Sequence, residues 1–152
     1  MEESEVSSSF DVSGLPDHLR PLESIFEQAA REIFTDHNVT SYAVSVAFVD
    51  DQEISRLNRE ALKRSGTTDI IAFDLSEDGL PYEKVGDLYI SIDTAIRSSS
   101  RLGIGLGEEV FRLVVHGILH LAGYTDEEES QRESMKRVQE RVVKRFSSRL
   151  VC

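Results

Sequence analysis

The chain has 152 residues, 39% hydrophobic and 30% charged, a formal net charge of −11 and a single cysteine, Cys152. The length suits one domain, the composition is that of a globular protein in water, and a lone cysteine excludes a disulfide framework or thiolate cluster. The carboxylate excess excludes a general nucleic-acid coat, which needs Lys and Arg against phosphates, but leaves room for a local basic groove. No apolar run reaches the roughly 20 residues of a membrane helix. The acidic start, with Glu2, Glu3 and Glu5, differs from the basic-then-apolar opening of a secretory leader, so a cytoplasmic location is expected.

Val6, Phe10 and Val12 suggest a first strand. Residues 16–35 carry Leu19, Leu22, Ile25, Phe26, Ala29, Ala30 and Ile33, the rhythm of an amphipathic helix. From 39 to 49 the pattern becomes alternation through Tyr42, Val44, Val46 and Phe48, which predicts a strand with one buried face. Asp50 or Asp51 caps a second helix whose Ile54, Leu57, Ala61 and Leu62 are expected to face the core. Residues 68–73 and 86–91 read as two more strands, and the short loop between them predicts an antiparallel pair. Asp93 caps a helix to about residue 102, broken by Gly103, Gly105 and Gly107. An apolar helix follows from Glu108 to about Ala122, then a charged one over 127–148 with Met135, Val138, Val142 and Phe146 inward. The expectation is a single α+β domain over residues 1–152, a mixed sheet of about four strands packed with helices.

Chemistry concentrates at the end of the apolar helix. His116 and His120 are four residues apart, so both rings share one face, and Gly123 permits the reversal that returns Asp126 toward His120. Two nitrogens and one oxygen are three ligands, and the fourth tetrahedral position stays open, as in catalytic zinc sites. Unpaired imidazoles inside so apolar a helix are costly, and a shared metal satisfies both. Other roles exist: a core hydrogen bond for His116, a helix cap for Asp126.

Around this motif the sequence resembles the YbeY family, endoribonucleases of ribosomal RNA maturation. Residues 116–124, His-Gly-Ile-Leu-His-Leu-Ala-Gly-Tyr, are similar to that family's His-Gly-x-Leu-His-Leu-x-Gly-Tyr-Asp-His signature. Asp51-x-Glu53-Ile54-x-x-Leu57-Asn58, Thr68-Asp69-Ile70-Ile71-Ala72-Phe73 and Gly86-Asp87-Leu88-Tyr89-Ile90-Ser91 resemble its upstream blocks in order, and Glu109 stands where it has a glutamate. The resemblance implies a metal-dependent, single-strand-specific endoribonuclease, with zinc expected, acting on ribosomal RNA and the small ribosomal subunit in maturation and quality control, with neither DNA nor membrane as a partner. The resemblance makes His116 and His120 metal ligands. Asp126 replaces the third histidine, a substitution zinc accepts and one that also suits iron or manganese. Leu62 stands where many relatives carry an arginine, and Asp74 where they carry a proline.

Around those ligands the residues allow further roles. A protease of the His-Glu-x-x-His type needs its base at position 117, where this chain has Gly117. Glu109, two turns before His116, is positioned to accept a hydrogen bond from a ligand histidine or simply to favour the helix start. Asp69 is placed to orient water or ligands, or to shape the turn. Arg59, Lys63 and Arg64 are the candidates for RNA phosphates, with Arg56 extending one basic helical face and Arg97 and Arg101 forming a second pair; such stripes are also ordinary solvated surface. Tyr124 offers base stacking or core packing. The alternatives are a non-catalytic ribosome-assembly factor with a structural metal, and a hydrolase of another substrate.

Overall fold

A computed structural model describes residues 7–150; the expected contribution of Val6 to a first strand lies outside them. The elements are β1 (Ser9–Ser13), a 3-10 turn (Asp17–Leu22), α1 (Glu23–Asp36), β2 (Tyr42–Val49), α2 (Asp51–Leu62), β3 (Ile70–Asp74), β4 (Lys84–Ser91), α3 (Ile92–Leu102), α4 (Leu106–Leu121), α5 (Glu129–Phe146) and a closing 3-10 turn (Ser147–Arg149). The four strands form one sheet in the order β1-β2-β4-β3. β1, β2 and β4 run parallel, and β3 runs antiparallel to β4 with Ile71 opposite Tyr89. The architecture is the expected α+β domain with a mixed four-stranded sheet.

The alternation in β2 buries Tyr42, Val44, Val46 and Phe48, while Ser45 faces out. On β3 the same period sends Ile70 and Ala72 to the main core. Ile71 points to the opposite face, where α2 packs and buries Ile54. α4 is the central helix and touches α1, α3, α5 and the sheet. Its Val110, Phe111, Val114, Val115, Ile118 and Leu119 are fully buried, each stabilising the fold by about 1.5–3 kcal/mol. Gly117 permits a close approach of α4 to the sheet. A Cβ there would lie 2.8 Å from Ile70 Cδ1 and Leu88 Cδ1.

Five expectations are corrected. Asp93 does not cap α3: the cap is Ser91, whose hydroxyl accepts from Thr94 N–H at 3.0 Å, and Asp93 lies in the first turn of the helix. The helix over 16–35 opens as a 3-10 turn containing Pro21, whose ring nitrogen has no hydrogen to donate, and becomes α-helical only at Glu23. Ala61 and Leu62 are exposed rather than core, because α2 covers the sheet only with its first turns. Gly107 does not break a helix; it lies buried in the first turn of α4, which starts at Leu106 rather than Glu108. The last helix is shorter than 127–148, because Glu128 and Gln131 close a capping box at its start.

Candidate metal centre

α4 presents His116 and His120 side by side, the rings edge to face with centroids 4.7 Å apart. The helix ends at Leu121, Gly123 adopts φ +112°, and the Tyr124 N–H donates to Leu119 O at 3.0 Å. This reversal returns the chain, so that Asp126 Oδ2 lies 3.7 Å from His120 Nε2. One ligand atom from each of His116, His120 and Asp126 fits within 4.8 Å of the others, a group able to hold a metal ion.

The hydrogen bonds around the rings fit a cation at that point. His120 Nδ1 faces the backbone oxygen of Tyr124 at 3.1 Å, which can only accept, so its proton sits on Nδ1. His116 Nδ1 faces Gln139 Oε1 at 2.7 Å, with the same consequence. Both Nε2 atoms are then free to donate a lone pair, and they stand 3.2 Å apart. Two donors bound tetrahedrally at about 2.05 Å stand about 3.3 Å apart, so a zinc-sized ion fits this spacing. A proton is a poor substitute, because burial, then the neighbouring His116, pushes the His120 pKa below the ordinary histidine value. The neutral, metal-binding form therefore persists to lower pH than in a free histidine.

Gln139 was not singled out from the sequence, although a signal existed: it interrupts the inward stripe of Met135, Val142 and Phe146 on α5 with a polar group. Partners of this kind orient ligand rings. Gln139→Leu is expected to weaken metal affinity about 10-fold or more while leaving the fold intact, read by competition with a chromogenic chelator.

The trio lies where two cavities meet. A cleft of about 590 Å³ is lined by Leu62, Arg64, Asp69, His116, His120 and Asp126, among others. A second, more apolar cavity of about 630 Å³ shares His116 and Asp126 and continues between α4 and α5 past Met135 and Lys136. Of the three phosphate candidates, only Arg64 lines the cleft. Lys63 takes a left-handed backbone at the end of α2 (φ 57°), and Arg64 then bonds through its N–H to Asn58 O, which turns its side chain to the cleft beside Leu62. Arg59 and Lys63 stay exposed outside that lining, with Lys63 Nζ donating to Glu60 O at 3.3 Å. Arg56 is bound by Glu53 and Glu60, so of the basic face expected on α2 only Arg59 and Lys63 are left without a carboxylate partner among the described residues.

Glu109 does not reach a ligand histidine. It is 7% exposed and receives Arg112 Nη1 at 3.3 Å, while His116 turns to α5 for its partner. Burial raises the Glu109 pKa above the usual carboxylate value, and Arg112 opposes that rise. Asp69 lies directly before β3, at the cleft wall, and its backbone oxygen accepts from Ser91 N–H at 2.9 Å. Tyr124 is half-buried and its hydroxyl is bound to His37 Nε2 at 3.0 Å, a packing role rather than an open stacking face. Position 117 faces Ile70 and Leu88, so a base there would be driven into the core instead of toward the ligands.

The fold and the trio together define a class: a small α+β domain whose central helix ends in a group able to hold one metal ion, open to a cleft. Within that class the chain belongs to the family described as Endoribonuclease YbeY, whose family model matches residues 15–147. The chain is 44% identical over 100 residues to the Endoribonuclease YbeY of Aquifex aeolicus, covering 66% of this chain and 67% of that one. It is 35% identical to the protein of the same name from Syntrophotalea carbinolica, covering 80% and 82%, and 33% identical to that of Thermus thermophilus, covering 82% and 91%. The solution structure of TM1509 from Thermotoga maritima superposes with a TM-score of 0.63 at 25% identity, covering 93% of each chain.

Proposed function

We propose that the protein is a metal-dependent endoribonuclease that cuts single-stranded RNA in ribosomal RNA maturation and quality control, with zinc held by His116, His120 and Asp126. The observation that carries this reading is the pair of imidazoles with Nε2 atoms 3.2 Å apart beside a carboxylate, at the wall of an open cleft. It is supported by membership of a family whose relatives are named as endoribonucleases. His116, His120 and Asp126 would hold the zinc, which when bound would supply a water activated near neutral pH and a Lewis acid for a phosphoryl oxygen. The residues supply the rest. Arg64 holds the strand by a phosphate in the place of the arginine that Leu62 replaces. Asp69 orients water at the cleft wall. Glu109 acts as a positioning residue through Arg112. The small ribosomal subunit is the proposed partner and the cytoplasm the proposed location; among the described residues no helix is long and apolar enough to cross a membrane.

The test is cleavage by zinc-loaded protein of an unstructured ribosomal RNA segment and of the same segment in a duplex. Internal cuts confined to the single strand, abolished by a chelator and restored by zinc, are the expected result; repeating the restoration with iron and manganese identifies the metal preference. Intact RNA under every metal, with small subunits still bound, would replace the enzyme by a binding factor, the reading that Leu62 and Asp126 keep open.

A further inference from the structure

A second groove adjoins the metal cleft at Thr68 and Asp69. Thr67 and Thr68 form one wall, and Thr94, Arg97, Ser98 and Arg101 of α3 form the other, around a cavity of about 430 Å³. The α3 residues recur at i, i+3, i+4 and i+7, so one helix face carries two hydroxyls and two guanidinium groups. Thr68 and Asp69 line both this groove and the metal cleft, so the two share a wall.

The groove is anchored rather than loose. Arg97 Nη1 pairs with Asp51 Oδ2 at 2.8 Å and its Nη2 donates to Thr94 Oγ1 at 3.1 Å. Asp51 is itself held by the Ser91 hydroxyl at 2.8 Å. The Arg97 hydrogen bond, then that of Ser91, keeps the Asp51 carboxyl below its usual pKa, so this anchor stays charged at neutral pH. Arg101 has no carboxylate partner among the described residues, whereas Arg20, Arg31, Arg56, Lys84, Arg112 and Arg145 are all paired. Among the described residues, Arg64 and Arg101 are the cations without a carboxylate partner that line the metal cleft and this groove. Arg64 and Arg101 stand in two adjoining cavities, on either side of the Thr68–Asp69 wall.

We propose that the Thr94–Arg97–Ser98–Arg101 groove is a phosphate subsite, holding a backbone phosphate that flanks the scissile one in the same RNA strand. The inference rests on the endoribonuclease reading. Hydroxyl and guanidinium donors suit phosphate oxygens, and contacts of this kind fix the register of a strand without reading its sequence.

The test is fluorescence anisotropy of zinc-loaded full-length protein with a 2′-O-methylated single-stranded RNA of about 12 nucleotides, across a salt series. Arg101→Ala is expected to weaken binding about 3–10-fold at low salt and to reduce the slope of log K against log salt by about 0.7, the value for one phosphate on a single strand. Arg101→Lys restores the slope, and Lys144→Ala, exposed on α5 and outside the metal cleft and the groove, leaves it unchanged. An unchanged slope in Arg101→Ala, with wild-type binding and cleavage intact, overturns the subsite alone. An equal loss in Lys144→Ala also overturns it, since a diffuse field then explains the binding. Wild-type protein that neither binds nor cuts RNA overturns the subsite together with the function beneath it.

Discussion

His116→Ala or His120→Ala is expected to empty the metal centre and lower RNA cleavage by about a thousandfold or more, equivalent to about 4 kcal/mol of transition-state stabilisation. Each substitution removes one of only two nitrogen donors, and the remaining imidazole and carboxylate cannot hold a zinc-sized ion at comparable affinity. Both rings are half-buried at the end of α4 rather than in its packed middle, so the helix keeps its core contacts with Val114, Val115, Ile118 and Leu119. Elemental mass spectrometry on purified protein reads the first half of the prediction. Wild type carries about one metal per chain, and either variant carries little. Asp126→Ala should lose metal less completely, because its carboxylate is half exposed and 3.7 Å from His120 Nε2, free to be replaced by water. Retention of full metal and full activity in both histidine variants would remove the trio from the mechanism.

The second large effect is structural. Arg112 gathers three carboxylates at the start of α4: Glu108 at 3.1 Å, Glu109 at 3.3 Å and Glu140 of α5 at 2.9 Å. Burial works against the charge of Arg112, yet Glu140 and Glu108 raise its pKa above the free value. Arg112→Ala leaves Glu109 buried and unpaired, beside two further acids, and is expected to cost about 3 kcal/mol in denaturant unfolding. Adding Glu109→Gln recovers part of the loss, because the neutral amide has no charge to desolvate. The pH dependence has a definite sign. A carboxyl whose folded pKa is raised binds protons more tightly in the native state, so its penalty grows as pH rises through its unfolded value and disappears below it. In Arg112→Ala the penalty of Glu109 is no longer opposed, so the deficit against wild type is larger near neutral pH than at about pH 4. A deficit independent of pH would assign the loss to packing of the Arg112 stem rather than to charge.

Much of the scaffold was legible because its signals are local. The alternation of Tyr42, Val44, Val46 and Phe48 is a period of two, and it buries one face of β2 wherever the strand lies. The short connection from residue 74 to 84 makes an antiparallel pair the natural result, as β3 and β4 show. Local signals also misled in places. Ala61 and Leu62 continue the apolar rhythm of α2, but whether that face meets anything depends on how far the sheet extends beneath it. Glu109 lies on the right turn for a histidine partner, yet Arg112, one turn on, offers a full charge where an imidazole offers a dipole. Arg59, Lys63 and Arg64 are near-equivalent as sequence, and only the left-handed residue at the end of α2 sends Arg64 to the cleft.

By itself the sequence determined the spacing of His116 and His120, which the rise of one helix holds, and Gly123 permits the turn that returns Asp126 to them. It also determined the family, through blocks that keep their order along the chain. The tertiary structure alone decided what surrounds those side chains. Gln139 reaches His116 across 23 residues and Arg112 reaches Glu140 across 28. Both contacts exist only because α5 packs along α4, a consequence of burying two apolar stripes together that no local spacing records.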